Sequence, residues 1–468
     1  LKLTIRLKPV RLMLVISSSV LLSACANFSA GNLFSHYSAQ NESVYQSVKR
    51  GDYLQAKEEL PEDIAGEILD NFERGRVYLL NKDYQQSQDA LELSDRAVRV
   101  EQDKAVISLS DTASSVGSLA VNDNLKIYQP ADYELGFLHL YLGLNYVKAN
   151  QLDDALVEMR RANQVQEQAR KERERALESA EKEMKSQGLT PNLGSVLANY
   201  PDAGKTLQAV QNAYLMYVSA LLYEADNDLN SAYVDYRRAL AVMPDNRSVI
   251  DGTMRVAKRL GMRDDLRQLE RRYGKAQNLA KGQARVIVLQ EQDVVEALQG
   301  WKLSLPLYDS RGNGALYSLA LPYYPSNNAL RFATPRLNQQ GLSQDLLTDV
   351  NLMAQRDLSE RMPNIVIRQA LRVVAKDQLR KEAAQGDDVG NLIFNVWNTL
   401  TEQPDTRSWQ TLPASVYSSS TVVNAGDQQL DINGQLYNFN VPQGQTALVW
   451  LSRQGNNATL WHKQLGRL

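Results

Sequence analysis

The chain has 468 residues, 43% of them hydrophobic, and a formal net charge of -2. So neutral a balance leaves no electrostatic footprint for a polyanion, which excludes nucleic acid as the expected partner. With one cysteine there can be no internal disulfide, so burial alone must stabilise the two or three domains that this length allows.

The first stretch, LKLTIRLKPVR, carries Lys2, Arg6, Lys8 and Arg11 and no acid, and Leu12 to Leu22 is apolar apart from Ser17, Ser18 and Ser19. This is the layout of a secretory signal peptide over residues 1–24. Such a run rises only about 16 Å as a helix, roughly half a bilayer core, so it is too short for an ordinary span. No other segment is apolar enough to cross a membrane. Leu22, Ser23 and Ala24 lead directly to Cys25, the solitary thiol, and resemble the lipobox of bacterial lipoproteins. The resemblance implies that Cys25 begins the mature chain, with a diacylglycerol on its sulfur and an acyl chain on its amine. Several chains hold where one myristoyl group is marginal, so the membrane is an expected partner. Ala26 follows where lipoproteins kept in the inner membrane usually have Asp, which implies a periplasm-facing anchor in the outer membrane. Residues 25–40 then form a lipidated linker.

From residue 41 to about 280 the chain repeats itself. LGLNYVKANQLDDALVEMRRA places Leu142, Gly143, Tyr146, Ala155, Met159 and Ala162; ALLYEADNDLNSAYVDYRRALAVMP places Ala220, Tyr223, Ala232, Tyr236, Ala239 and Pro244. From the small residue onward the spacings are identical. GRVYLLNKDYQQSQDALELS follows with Gly75, Tyr78, Ser87, Leu91 and Ser94, and KRGDYLQAKEELP keeps a turn and second helix through Gly51, Tyr53, Ala56 and Leu60. Small residues where two helices approach, with aromatics filling between, resemble the tetratricopeptide repeat. A fifth pair over 247–273 has Val256, Leu260, Leu266 and Leu269 on plausible inner faces but lacks the small-residue signature, so it reads as a terminal cap. Stacked hairpins bury what one alone cannot, and their concave face is expected to receive a peptide or a partner helix.

Two insertions interrupt the array. SLSDTASSVGSLAVNDNLKIYQPADYE breaks the helical pattern and ends at Pro130, before a helix expected from about Tyr133. RRANQVQEQARKERERALESAEKEMKSQG continues the third repeat as a highly charged helix with few apolar positions, which reads as a solvated extension or as an arm for a partner.

Over 281–468 the texture changes. ARVIVLQEQ, WKLSLPLY and ALYSLALPYYP are strand-like, a helical block runs from about Ser343 to Ala384, and a further helix is expected at NLIFNVWNTLTEQ. Strands resume in SSSTVVNAG, QLDING, LYNFNVP and TALVWLSRQ. The expected class is α+β and multidomain: a tetratricopeptide-like α-solenoid followed by a β-rich, sandwich-like domain with inserted helices. Within this half, Arg368, Arg372, Lys376 and Arg380 recur every fourth residue, so a helix makes them one basic stripe. That stripe could meet phosphate headgroups or an acidic partner, but it reads first as the wet face opposite Ile367, Leu371 and Val374. In DTRSWQTLPAS, Arg407 and Trp409 beside Leu412 and Pro413 could line a recognition pocket. A Trp packed under a strand, with Arg407 paired to Asp405, accounts for the same letters.

The lipobox, the paired helices, the segments SLAVNDNLKIYQPADYELGFLHLYLGLNY and DTRSWQTLPAS and the strand-rich end together resemble a proteobacterial outer-membrane lipoprotein family with tetratricopeptide-like repeats. In some marine gammaproteobacteria such proteins are encoded near an outer-membrane lipoprotein that activates a peptidoglycan synthase, which implies an envelope role and an envelope protein as partner. The family carries over no catalytic residue. Its shared segments make Asn122, Asp123, Tyr128, Tyr133, Glu134, Asp405, Arg407 and Trp409 the candidates for an interaction surface. His36, His139 and His462 are far apart and lack metal-ligand spacing, and there is no nucleophile elbow, phosphate loop or dinucleotide fingerprint. No cofactor or metal is therefore expected, and the chain reads as a scaffold and not as an enzyme. The alternatives are a structural subunit of an oligomeric envelope machine and a carboxylate-based hydrolase whose distant acids meet on folding.

Overall fold

The computed structural model describes residues 35–108, 126–186, 207–308, 314–325, 330, 332–384 and 403–468. The signal, the lipobox and Cys25 lie outside the described residues, as do Asn122, Asp123 and most of the expected helix at NLIFNVWNTLTEQ.

After a single turn at Tyr37–Gln40 (α1), the chain forms helix hairpins: Glu42–Arg50 (α2) with Tyr53–Glu58 (α3), Glu67–Leu80 (α4) with Tyr84–Ser108 (α5), and Asp132–Lys148 (α6) with Leu152–Ser186 (α7). A short Leu207–Val210 (α8) precedes Ala213–Ala225 (α9) with Leu229–Val242 (α10), and Arg247–Arg259 (α11) with Arg263–Tyr273 (α12). All five hairpins turn by the same device. Gly51, Lys82, Asn150, Asn227 and Gly261 each sit at positive φ, between 63° and 80°. The next N–H returns to the carbonyl five residues back: Asp52 to Ser47, Asp83 to Tyr78, Gln151 to Tyr146, Asp228 to Tyr223 and Met262 to Ala257, at 2.8 to 2.9 Å. That closure satisfies carbonyls the helix end leaves orphaned. Asp52, Asp228 and Asn246 then cap the following helices through side-chain oxygens. The small residues act as the pattern expects: a Cβ on Gly143 would lie 2.4 Å from Met159 Cε, and one on Gly75 would lie 2.5 Å from Leu91 Cδ2. Gly252 of α11 meets Tyr236 of α10, a close contact between the fourth and fifth hairpins, while the position seven residues before the fifth turn holds Met254 and not a small residue.

The strands are Gln283–Gln292 (β1), Gln299–Tyr308 (β2), Gly314–Tyr323 (β3), Arg336–Leu337 (β4), Gln340–Gly341 (β5), Asp345–Asp349 (β6), Ser415–Asn424 (β7), Gly426–Ile432 (β8), Gln435–Val441 (β9), Thr446–Gln454 (β10) and Asn457–Gly466 (β11), with Val350–Ala384 (α13) between β6 and β7. The expected helical block thus begins at Val350, because Asp345–Asp349 pairs with β7 as an edge strand. A five-stranded sheet has the order β11-β10-β1-β7-β6, with β1 parallel to β10 and antiparallel to β7. A four-stranded sheet has the order β5-β4-β8-β9, and β2 and β3 pair alone.

The sandwich is present, and the helices add a third layer. On one face of β1 and β10, Val286, Val288, Val449 and Leu451 pack with Leu430, Ile432, Phe439 and Val441 of the four-stranded sheet. On the other, Ile287, Leu289, Leu448 and Trp450 share a core with Phe72, Phe137, Tyr141 and Tyr214 of the helical array. Burial of both faces explains why β1 reads as a continuous apolar run. The β2–β3 pair and α13 close a small core of their own around Leu298, Leu319, Leu321, Leu358, Met362 and Val366.

Candidate functional site

A ligand is expected on the inner side of the array, and there the protein's own chain packs against the first helices of the second and third hairpins, α4 and α6. Asp405 to Ala414 runs there without helix or strand, and Thr406, Trp409, Gln410, Thr411 and Leu412 are completely buried. A segment with no sheet partner must satisfy its polar backbone elsewhere. Two helix carboxylates and one guanidinium do so at its centre, and near its end Val295 N–H donates to the Leu412 carbonyl and Ala414 N–H to that of Gln292. Glu73 on α4 accepts from the backbone N–H of Gln410 through Oε1 at 2.7 Å and from that of Thr411 through Oε2 at 3.3 Å. The hydroxyls of Tyr37 and Thr411 also donate to it. Glu134 on α6 accepts the N–H of Trp409 at 2.7 Å, together with the N–H of Ala131 and the hydroxyl of Tyr128. Arg76, one turn beyond Glu73, donates through Nε to the carbonyl of Thr411 at 3.2 Å.

Arg76 also ties this strap to the sheet. Its Nη2 lies 2.6 Å from Glu291 Oε2, with both side chains fully buried, and donates to Ser452 Oγ at 2.9 Å. Glu291 Oε1 on β1 accepts from Tyr214 and from the indole of Trp450, each at 3.1 Å. The guanidinium lies 4.7 Å from the ring centroid of Tyr141. Trp409 stacks on Phe72 at 4.4 Å between centroids and meets Tyr141 edge-on at 5.9 Å. Gln410 is fixed by its side chain, which donates to Ser38 Oγ and accepts from Asn41.

These groups titrate unlike exposed ones. Burial pushes the Glu73 carboxyl up to about 7, against the pull of the donors from Thr411, Gln410 and Tyr37. Burial likewise raises Glu134, although Tyr128, Trp409 and Ala131 donate to it.

The candidate interaction residues come together, but inside the molecule. Tyr128, Tyr133, Glu134, Arg407 and Trp409 are all buried, so the expected shared surface is an internal junction. Arg407 forms a bidentate pair with Asp405 at 2.9 and 2.8 Å and lies 5.7 Å from the ring centroid of Tyr128. The expected pairing is there, with Trp409 packed under helices in place of a strand. The basic stripe needs correction too. Arg368 is half-buried and Arg372 only 2% exposed, because α13 packs against β3, α6, α7 and α8 and so covers more than one of its faces. Lys376 and Arg380 continue that helix, with side chains outside the described residues. Sequence reasoning missed Glu73 and Arg76. The signal was available: both occupy inward positions of an otherwise apolar 3.6-residue period with Leu69, Phe72 and Leu80.

Of the three histidines, His139 is buried between hairpins, with Nδ1 2.6 Å from Glu158 Oε2 and Nε2 3.9 Å from Asp95 Oδ1. Arg161 pairs with both acids, so this cluster is an ionic tie between α5, α6 and α7. Among the described residues, no group of His, Cys, Asp and Glu is arranged to hold a metal, and no helix is long and apolar enough to cross a membrane.

No family model and no curated protein matches the chain. Among solved structures it is similar to MamA of AMB-1, over 50% of this chain and 87% of that one, at 12% identity and a TM-score of 0.27. A score that low carries no argument, and the repeat assignment stands on the five equivalent turns.

Proposed function

We propose that this chain is a lipid-anchored, periplasm-facing scaffold of the outer membrane that brings an envelope protein to its site of action in envelope biogenesis, with peptidoglycan synthesis the process it serves. It acts by holding a partner and not by catalysis. The observation that supports a framework role is the burial of Asp405 to Ala414 against the first helices α4 and α6, which spends that part of the inner surface on the protein's own chain. A partner must then use the outward surfaces. The lipobox resemblance at Leu22 to Cys25 supports the anchor.

The test is crosslinking in living cells from photoreactive residues at exposed outward positions such as Leu54, Val157 and Val234, followed by mass spectrometry. One recurring envelope protein captured from an outward face supports the reading. Release of muropeptides by the purified protein, abolished by changing a single acid, would replace it with the hydrolase. Recovery of the mature protein from the soluble fraction with Cys25 unmodified would remove the anchor.

A further inference from the structure

Where the turn after α6 meets the outer corner of the sandwich, the fold brings together two lysines that lie far apart in sequence. Lys148 ends α6, with its Nζ 4.8 Å from the ring centroid of Tyr84. Lys463 on β11 donates to Asn150 Oδ1 in the turn that follows α6. Beside it on β11 is His462, whose Nδ1 lies 2.8 Å from the hydroxyl of Tyr437. Its Nε2 has no partner among the described residues. Lys148, Lys463, His462, Tyr84 and Tyr437 are all half-buried, so the corner is neither dispersed in solvent nor closed to it.

No carboxylate among the described residues pairs with either lysine. Arg76 and Arg255, by contrast, are drawn in against acids, Glu291 and Glu224, and the buried Arg453 donates to the carbonyl of Ala333. Here like charges face one another. Burial, then Lys148, holds Lys463 below the usual lysine range. His462 is held below its ordinary value by burial and then by Lys148 and Lys463. Gathering uncompensated cations costs stability that a bound anion would restore.

We propose that this corner binds a phosphate monoester, whose dianion matches the two ammonium charges and whose remaining oxygen accepts from His462 Nε2. Ammonium groups serve phosphate as point charges, and the tyrosines frame the entrance without adding charge. Free phosphate, a soluble phosphomonoester and a lipid headgroup such as phosphatidic acid all present this group.

The test uses the full chain in phosphate-free buffer, with the His462 ring followed by nuclear magnetic resonance and assigned by loss of its signal in His462→Gln. Inorganic phosphate is expected to raise both the His462 pKa and the melting temperature, while acetate at the same concentration leaves them unchanged. Lys148→Gln and Lys463→Gln are each expected to weaken phosphate binding about tenfold or more. Without phosphate, each is expected to raise the His462 pKa, a change that a merely structural role for the lysine would not produce. Flotation with phosphatidic acid vesicles, set against phosphatidylcholine vesicles, tells a headgroup from a soluble ester; retention lost in the same two variants assigns the lipid, and binding of inorganic phosphate alone assigns the soluble form. A His462 titration unmoved by millimolar phosphate, or phosphate binding equally tight in both lysine variants, overturns the proposal.

Discussion

Glu73 and Glu224 are both deeply buried carboxylates on the first helix of a hairpin, and they titrate in opposite directions. Burial raises Glu73 to about 7, because its partners are neutral donors from the strap and Tyr37. Burial acts on Glu224 in the same sense, but Arg255 and Arg259 close on it, at 2.7 and 3.2 Å, and bring it below the usual carboxylate value. Glu73 is thus met by neutral dipoles and Glu224 by charge. Neutral dipoles offset less of the desolvation, so between pH 5 and about 7 proton binding is coupled to the strap and not to the cap.

The largest expected effect comes from breaking the ionic link beneath the strap. Arg76→Ala leaves Glu291 buried without its cation and is expected to cost about 3 to 5 kcal/mol in denaturant unfolding. Arg255→Ala should cost less, since Arg259 remains on Glu224. A smaller loss for Arg76→Ala than for Arg255→Ala would reverse the comparison.

Next in size is the pH dependence of stability. Between the unfolded value near 4.5 and the folded value of about 7, folded Glu73 keeps a proton that the unfolded chain releases. Its contribution to stability therefore falls as pH rises through that window, by an amount on the order of 3 kcal/mol. Glu73→Gln should flatten this slope when melting is followed across the same pH range. Glu224 works in the opposite sense: its lowered value adds stability above the unfolded pKa, lost as pH falls through the folded one. Glu224→Gln should therefore leave the slope between pH 5 and about 7 intact.

Gly143→Ala probes the hairpins that carry both ends. The added methyl must displace Met159 Cε from 2.4 Å, with an expected loss of about 1 to 3 kcal/mol by thermal melting. Smallest is Asp228→Ala, which removes the cap on Ser231 N–H and should cost about 0.5 to 2 kcal/mol while leaving the slope between pH 5 and about 7 unchanged.

The hairpins were legible because what makes them is local. Gly143 and Met159, or Gly75 and Leu91, lie within one turn-connected pair, and the turn residues recur at the same offset. Strands β1 to β3 and β7 to β10 are legible from their apolar and β-branched letters, whereas β6 merges with the pattern of the following helix and β11 gives no clear signal. The letters of the strap admit both a recognition surface and a buried Trp with Arg407 paired to Asp405, and the structure takes the second. A Trp and an Arg in an irregular segment carry the same letters whether they face a partner or their own core.

By itself the sequence determined where helices pair, where they turn and which runs become strands, since periodicity and turn chemistry act between near neighbours. Only the tertiary structure decided what covers the first helices α4 and α6. Glu134 and Glu73 find backbone N–H groups 275 and 337 residues away, and a backbone amide is the same at every position, so nothing in the letters marks it as the partner. The corner of Lys148 and Lys463 is also a product of folding, because the meeting of two ordinary lysines 315 residues apart depends on the path of the whole chain between them.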